Sequence, residues 1–254
     1  MNKMGALVLV AAAAVLAAPA ARAQTVDEIV AKNLQARGGK DKIAAVKTAR
    51  ATGRMTLGPG MEAPFTITWK KPGMVRLEFT IQGMTGVQAY DGTTGWSLMP
   101  FMGKPEAEKM SEEDMSHIQE QADWDGPLVD YKGKGHQVEL VGKESVEGTE
   151  VYKLKVTKKN GEVVFELLDA DAYLEIKEQG KRTMRGQEIE FETSMGDYKD
   201  VAGLMLAHSI ESKAKGMPQS QQLTFDKFEI NIDVPDDTFK MPAPKPAAPE
   251  PAKP

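Results

Sequence analysis

Hydrophobic and polar residues alternate with a period of two over much of the chain. The clearest run is residues 74–82, in which every second side chain is apolar: Val75, Leu77, Phe79 and Ile81. This alternation gives an extended strand one apolar face and one polar face. Similar runs recur along the chain, separated by turn-forming pairs such as Asp91-Gly92 and Asn160-Gly161. The pattern predicts about ten short strands, joined mainly as antiparallel hairpins.

Helical signals occur at the start of the chain and once between the strands. Thr25 and Glu28 form a capping box, and Gly38-Gly39 provides a stop, which predicts a helix followed by a short helical turn over residues 40–46. Ser111, with Asp114 three residues later, predicts a second helix over residues 111–124. Its apolar stripe is narrow, and a loop is predicted before it at residues 99–104. So polar a helix between strands is more typical of a lid than of a core element.

An apolar sheet face of this extent must be covered or must close on itself, and only two convincing helices are available to cover it. We therefore predict a mainly β (α+β) fold, a strongly curved antiparallel half-barrel of about ten strands. The N-terminal helix and the helical lid are expected to lie over an apolar cavity. Eight of the 15 methionines fall between Met55 and Met115, which fits either an adaptable cavity or ordinary gap-filling in a core.

The two ends differ in composition from the centre. Residues 1–23 read as a secretory signal peptide, with Lys3, a 13-residue apolar run and the cleavage motif Ala21-Arg22-Ala23. A retained N-terminal anchor is the alternative, although the run is shorter than the roughly 20 residues of a membrane helix. Residues 242–254 are rich in proline and alanine, which predicts a disordered tail. We expect one domain over residues 24–241.

Composition excludes several classes of protein. The chain contains no cysteine among its 254 residues, which rules out disulfides, thiolate metal sites and a lipid-modified N-terminal cysteine. The formal net charge is −5, and removal of residues 1–23 takes away Lys3 and Arg22 and makes it −7. Nucleic acid is not an expected partner, because phosphate backbones are bound through clustered Lys and Arg.

The sequence offers no convincing catalytic, metal or cofactor site. His208 falls in register with apolar neighbours on a strand, while His117 and His136 lie in polar surroundings. Asp169-Ala170-Asp171 is more typical of a turn than of a cation site. An acidic stripe at Glu188, Glu190 and Glu192 is either a solvated face or a docking surface for a basic partner. We expect no enzymatic activity and rank a hydrolase below the binding functions.

Four stretches together resemble a known family. They are IVAKNLQARGGKDKIAAVKTARATGRM, WKKPGMVRLEF, YDGTTGWSLMPFMG, and GDYKDVAGLMLAHSIE with the closing INIDVPDDTFKMP. In this order they resemble the bacterial outer-membrane lipoprotein-sorting superfamily, which includes the periplasmic carrier LolA and the receptor LolB. The resemblance implies a half-barrel with a helical lid that encloses acyl chains. The carriers have an arginine before the proline, which is thought to tether the lid. Lys71 stands there in this chain, so a bidentate guanidinium contact is unavailable and a divergent relative is expected.

The expected function is that of a periplasmic carrier or chaperone, a soluble monomer that binds the acyl chains of lipoproteins or lipids. Its expected partners are inner-membrane donor and outer-membrane acceptor proteins, with transient membrane contact at most. The alternative is an envelope sensor or protein-interaction module built on the same half-barrel. Three groups of residues are predicted to form the site: the cavity wall (Phe65, Trp69, Leu77, Phe79, Ile81, Met84), the lid (Met99, Phe101, Met102, Met115, Ile118) and the tether candidate Lys71.

Overall fold

The computed structural model describes residues 24–58, 60–184, 186–217 and 219–243. The predicted signal peptide and residues 244–254 of the predicted tail lie outside the described residues. The elements follow in the order α1 (Val26–Ala36), α2 (Lys40–Ala45), β1 (Thr48–Gly58), β2 (Met61–Lys70), β3 (Met74–Ile81), β4 (Met84–Tyr90), β5 (Gly95–Met99), a 3₁₀ turn (Pro100–Met102), β6 (Lys104–Lys109), α3 (Glu112–Ala122), β7 (Gln137–Val146), β8 (Thr149–Thr157), β9 (Val163–Asp169), β10 (Glu175–Met184), β11 (Gln187–Val201), β12 (Leu204–Ala214), β13 (Ser220–Ile230) and a second 3₁₀ turn (Asp236–Phe239).

The helix boundaries follow from local capping. The Thr25 amide donates to Glu28 Oε2 at 2.8 Å, and the Glu28 amide donates to Thr25 Oγ1 at 3.3 Å, so the predicted capping box is confirmed. After α1, Gly38 adopts φ 116° where a Cβ would lie 2.3 Å from the Gly203 carbonyl oxygen. Only glycine fits that position. The predicted cap of α3 is also present, because Ser111 Oγ accepts from the Asp114 amide at 3.1 Å.

All the strands belong to one curved antiparallel sheet, which confirms the predicted mainly β half-barrel. Their order is β6-β5-β4-β3-β2-β1-β13-β12-β11-β10-β9-β8-β7. Within the described chain, β1 and β13 are the one pair of neighbours that are not consecutive, so this pairing joins two meanders into a single sheet.

The sheet contains 13 strands, more than the ten or so predicted. One reason is that residues 99–104 are not simply a loop, as predicted, because Pro100–Met102 form a 3₁₀ turn and Lys104 begins β6. The β6 sequence KPEAEK lacks apolar alternation because this strand lies at the edge of the sheet and is mostly exposed. Charged residues on an edge strand are a common protection against aggregation.

The topology forces one connection across the sheet. Strands β6 and β7 lie at opposite edges, yet they are consecutive in the chain. The segment between them, which contains α3, therefore has to pass over one face. We call this helix-covered side the inner face.

Apolar residues on the inner face form two main clusters. The first lies under α1 and consists mainly of Ile29, Val30, Leu128, Tyr152, Leu154, Val156, Val164, Leu168 and Phe191. The second lies under α3 and includes Ala51, Met55, Ala63, Phe65, Ile67, Val75, Ile118, Ala122 and Phe225. A smaller cluster packs α2 against β1 and β12 through Ile43, Ala49 and Leu204. Each helix thus covers its own portion of the apolar face.

The opposite, outer face is covered at one end by the C-terminal segment. Trp96 is 1% exposed, and its Nε1 donates to the Phe239 carbonyl oxygen at 2.8 Å. Met241 packs against the apolar cluster that contains Trp96. This segment covers apolar residues of β4 and β5 that would otherwise face solvent.

The pairing of β1 with β13 depends on a glycine. The register shifts between Thr52 and Gly53, and a Cβ on Gly53 would lie 2.0 Å from the Thr224 carbonyl oxygen. We expect Gly53→Ala to lower the free energy of unfolding by about 2 kcal/mol or more, because the strands would have to separate. Urea denaturation measures the change.

Gly196→Ala is the matched control, because nothing lies within 4 Å of a Cβ at that position in β11. Its expected effect is within about 0.5 kcal/mol. Equal effects of the two substitutions would show that the close strand approach at Gly53 is not a constraint on the fold.

Candidate ligand-binding site

Helix α3 lies directly on the predicted cavity wall. Ile118 is 2% exposed and Ala122 5%, and both pack into the cluster that contains Phe65. Trp69 Nε1 donates to the Gln121 carbonyl oxygen at 2.8 Å, which fixes the end of the helix. Gly95 permits the close approach, because a Cβ there would lie 2.8 Å from Met115 Sδ. In this conformation the helix occupies much of the space that the sequence assigned to a ligand.

Most of the predicted wall residues share that cluster. Phe65 is buried in it, and four others pack against it while partly exposed: Trp69, Leu77, Phe79 and Ile81. Met84 does not join them, since it lies at the β3–β4 turn and is 38% exposed. The structure thus brings five of the six predicted wall residues together under α3.

The predicted lid residues are more dispersed. Met115 and Ile118 lie on α3, and Phe101 in the first 3₁₀ turn packs on Phe79 with ring centroids 5.6 Å apart. Met99 ends β5 and is partly buried. Met102 is 69% exposed, so it makes little contact with the inner face in this conformation. The predicted cavity wall is therefore contacted mainly by α3, and Phe101 makes a separate contact with it.

Lys71 lies beside the segment that follows α3. Its Nζ is 2.6 Å from Asp125 Oδ1 and donates to the Ile43 carbonyl oxygen at 3.0 Å. One ammonium therefore links the β2–β3 turn, α2 and the chain just after α3. This geometry suits a tether, although it holds the segment beyond the helix and not the helix itself.

A cavity of about 360 Å³ lies next to α3 on the inner face. We call it the central cavity. One wall is apolar and includes Trp69, Trp124, Leu204, Leu206, Ile210, Phe225 and Phe228. The opposite wall is polar and includes Arg37, Glu166, Glu175, Glu178, Thr193 and Tyr198. Its volume falls within the usual range of small-molecule sites, about 300–1,000 Å³.

The polar wall contains a pair of carboxyl groups, the buried Glu166 and the half-buried Glu178, which we call the carboxyl pair. They face each other across β9 and β10, and Glu166 is 3% exposed. Burial, followed by the charges of Glu178 and Glu175, raises the pKa of Glu166 well above its ordinary value of 4.5. The pair therefore holds a proton under conditions in which exposed glutamates have lost theirs.

Ion pairs hold α3 on the side facing β8 and β9. Glu120 of α3 pairs with Lys158, whose Nζ also lies 3.3 Å from Glu162 Oε2. Burial disfavours the charge on Glu120, but the hydrogen bond with Glu162 and the Lys158 ammonium outweigh it and lower the pKa of Glu120. Burial and the hydrogen bond with Glu120 raise the pKa of Glu162. The attachment of α3 is thus ionic on one side and apolar on the other.

The remaining polar groups of the central cavity are neutral or paired. Arg37 Nη1 lies 3.4 Å from Glu175 Oε1. The Tyr198 hydroxyl donates to the Glu175 carbonyl oxygen at 2.6 Å, and burial raises the pKa of Tyr198, so the phenol stays protonated. Asp123 pairs with Lys134 at 2.6 Å. The carboxyl pair differs from these groups because it forms no ion pair with any described residue, and Lys158 acts on Glu166 only as the smallest influence on its pKa.

The histidines and the Asp169 motif have local structural partners. His208 is 5% exposed, its Nδ1 donates to the Leu206 carbonyl oxygen at 3.0 Å, and its ring packs edge-on against Phe228. His136 Nδ1 accepts from the Lys159 amide at 3.0 Å. Asp169 Oδ1 accepts from the backbone amides of Asp171 and Ala172, at 2.8 and 2.7 Å.

The acidic stripe is neutralised by neighbouring lysines. Three pairs form, Glu188 with Lys181 at 2.7 Å, Glu190 with Lys215 at 2.6 Å and Glu192 with Lys177 at 2.8 Å. With its charges matched in this way, the stripe carries no excess negative charge with which to attract a basic partner.

Comparison with known proteins supports the architecture. No protein-family model and no curated protein matches the sequence. A LolA superfamily protein of Nitrosomonas europaea has a similar structure, with TM-score 0.57 and 15% identity over 86% of this chain and 98% of that one. The fold is LolA-like. At such identity the likeness establishes the fold and not the function.

Two further solved structures show the same LolA-like fold. A domain described as an outer membrane lipoprotein-sorting protein of Vibrio parahaemolyticus matches with TM-score 0.57 and 13% identity, over 84% of this chain and 94% of that one. A DUF1329 family protein of Desulfovibrio piger matches with TM-score 0.62 and 11% identity, over 86% and 98% respectively. Within the residues that the structure describes, no helix is long and apolar enough to cross a membrane.

The polar wall of the central cavity was missed by the sequence reasoning. Glu166 lies within the apolar run Val163-Val164-Phe165-Glu166-Leu167-Leu168. A single acid in such a run is the signal that marks a buried charge, since both faces of the strand are otherwise apolar.

The raised pKa of Glu166 predicts a pH-dependent stability. Because the folded state keeps this proton above the unfolded pKa, stability falls as pH rises from about 4.5 through the folded pKa. Glu166→Gln, which cannot ionise, should therefore unfold at higher urea concentration than the wild type at pH 8. We expect a gain of about 1 kcal/mol or more, shrinking towards zero below about pH 4.5.

Glu188→Gln is the control, because Glu188 lies on the outer stripe and pairs with Lys181. It should change stability by less than about 0.5 kcal/mol. A loss of stability in Glu166→Gln at pH 8 would contradict the protonated state assigned to the carboxyl pair.

Proposed function

We propose that the protein is a non-enzymatic periplasmic carrier or chaperone that binds the acyl chains of lipoproteins or lipids. The chains would lie between α3 and the inner face, extending from the central cavity. The position of α3 on the inner face is the observation that supports this proposal. A polar helix with two buried apolar residues, Ile118 and Ala122, lies on a much larger apolar surface beside a cavity.

Burial of an acyl chain supplies enough free energy to displace such a helix. Each buried methylene contributes about 0.8 kcal/mol, so a chain of typical length gains several kcal/mol on a dry apolar surface. In return α3 would give up the contacts of Ile118 and Ala122 and the Glu120–Lys158 pair. Cargo and helix then compete for the same wall, and release follows when α3 returns.

The cellular setting is part of the proposal. The expected signal peptide at residues 1–23 would deliver the protein to the periplasm. An inner-membrane donor would load the cargo and an outer-membrane acceptor would receive it, with Lys71 keeping the segment after α3 in place during both steps. The lipoprotein-sorting description of a structural neighbour supports this assignment.

A disulfide lock tests the movement of α3. A Cβ on Gly95 would lie 3.3 Å from Ile118 Cγ2, which is close to the spacing of a Cβ and the distal sulfur in a disulfide. The Met115 sulfur that this Cβ would also approach lies near the end of a flexible side chain and can turn aside. The chain has no other cysteine, so Gly95→Cys with Ile118→Cys forms a single possible bridge. We expect the oxidised double variant to bind the neutral amphiphile dodecanol at least tenfold more weakly than the reduced one. Fluorescence of Trp69 and Trp124, which line the cavity, reports binding.

The reduced double variant and oxidised wild type are the matched controls. Equal binding by the oxidised and reduced forms would show that α3 need not move. Absence of dodecanol binding in every form would contradict the carrier. A stoichiometric protein partner with an empty cavity, seen by native mass spectrometry of protein purified from periplasm, would favour the envelope sensor or interaction module instead.

A further inference from the structure

We infer that the central cavity selects amphiphiles with a cationic headgroup, whose ammonium binds the carboxyl pair Glu166–Glu178 while the alkyl chain lies on the apolar wall. This inference rests on the proposed function and names the class of cargo. Four features support it: the missing cation, the local charge, the aromatic wall and the route from solvent.

The first feature is a buried acid without a counterion. Glu166 is 3% exposed and lines the central cavity. Among the described residues, neither member of the carboxyl pair forms an ion pair, and the group that Glu166 meets is the acid Glu178. A buried carboxylate is costly unless it is paired, so the carboxyl pair keeps a proton. An ammonium arriving from the cavity would take the place of that proton as the counterion of the pair.

The second feature is the excess of acid around the cavity. Six carboxyl groups lie in or beside the cavity, Glu120, Asp123, Glu162, Glu166, Glu175 and Glu178, against three cations, Arg37, Lys134 and Lys158. These cations are already engaged with Glu175, with Asp123, and with Glu120 and Glu162. Among the described residues, the acids left without an ion pair are therefore the carboxyl pair, and the low polarity of the opposite wall strengthens their attraction for a cation.

The third feature favours an organic cation over a metal ion. The wall facing the carboxyl pair is apolar and aromatic, so it offers none of the additional oxygen ligands that hard divalent cations require. Trp69 and Trp124 pack edge-on with ring centroids 4.9 Å apart, and both line the cavity. Indole faces attract ammonium groups and also bury alkyl chains. A ligand with an ammonium headgroup and an alkyl chain therefore complements both the polar and the apolar wall.

The fourth feature is a route from solvent. An opening of about 680 Å³ adjoins the central cavity and is lined by Ser116, Gln119, His136 and Lys159, among others. The two spaces share Glu120, Asp123 and Glu178. A headgroup that enters below the end of α3 therefore meets Glu178 before it reaches Glu166.

The test compares three amphiphiles with one chain length, dodecylamine, dodecanol and dodecanoate, below their micellar concentrations. We expect the wild type to bind dodecylamine at least tenfold more tightly than dodecanol, and dodecanoate more weakly than either. Glu166→Gln with Glu178→Gln keeps the shape of the pair but removes its charge. This double variant should lose the preference for the amine and bind dodecylamine and dodecanol with affinities within twofold of each other.

Glu188→Gln is the matched control and should retain the full preference, since its carboxylate lies on the outer stripe. Equal affinity for the three probes in wild type, or a preference for dodecanoate, would overturn the inference and leave the carrier intact. Failure of all three probes to bind would instead contradict the proposed function.

The pH dependence provides a second readout. Because burial raises the pKa of Glu166, the pair gains charge as pH rises, whereas an alkylammonium stays charged up to about pH 10. Dodecylamine should therefore bind more tightly at pH 8 than at pH 5, with dodecanol unchanged. An amine affinity that does not change with pH would place the ammonium away from the carboxyl pair and overturn the inference.

Discussion

A single connection joins the two edges of the sheet, and the position of α3 follows from it. Strands β6 and β7 are consecutive in the chain but lie at opposite ends of the strand order. The intervening segment must cross the inner face, so α3 covers apolar residues whether or not a ligand is present. Because β1 pairs with β13, the two meanders form one sheet, and the inner face is continuous beneath α3. Chain connectivity, rather than strong packing, places α3 on this face. We therefore expect that a ligand can displace the helix.

The attachment of α3 reflects this role. On one side Ile118 and Ala122 pack into the apolar cluster, and on the other Glu120 pairs with Lys158. The central cavity lies between these attachments, with an apolar wall facing the carboxyl pair. The fold thus combines a helical cover over an apolar face with a carboxyl pair that forms no ion pair among the described residues. In the proposed function the cover gives way to an acyl chain, and the carboxyl pair selects the headgroup.

Sequence alone predicts the parts of this fold that have a strict local pattern. Val75, Leu77 and Phe79 alternate because one side of β3 packs on the core, and the caps at Thr25 and Ser111 are local hydrogen bonds. The edge strand β6 was missed because its exposed residues show no alternation. The sequence predicts a cavity but not its polar wall, because Glu166, Glu175 and Tyr198 are brought together by strand order, which the period of a single strand does not encode.

Amide hydrogen exchange followed by mass spectrometry, with and without saturating dodecanol, tests whether a ligand displaces α3 from the apolar inner face. We expect faster exchange across α3 (Glu112–Ala122) when ligand is bound, while the amides that join β1 to β13 keep their protection. Slower exchange in α3 on binding, or no change there while the cavity tryptophans report occupancy, would contradict it.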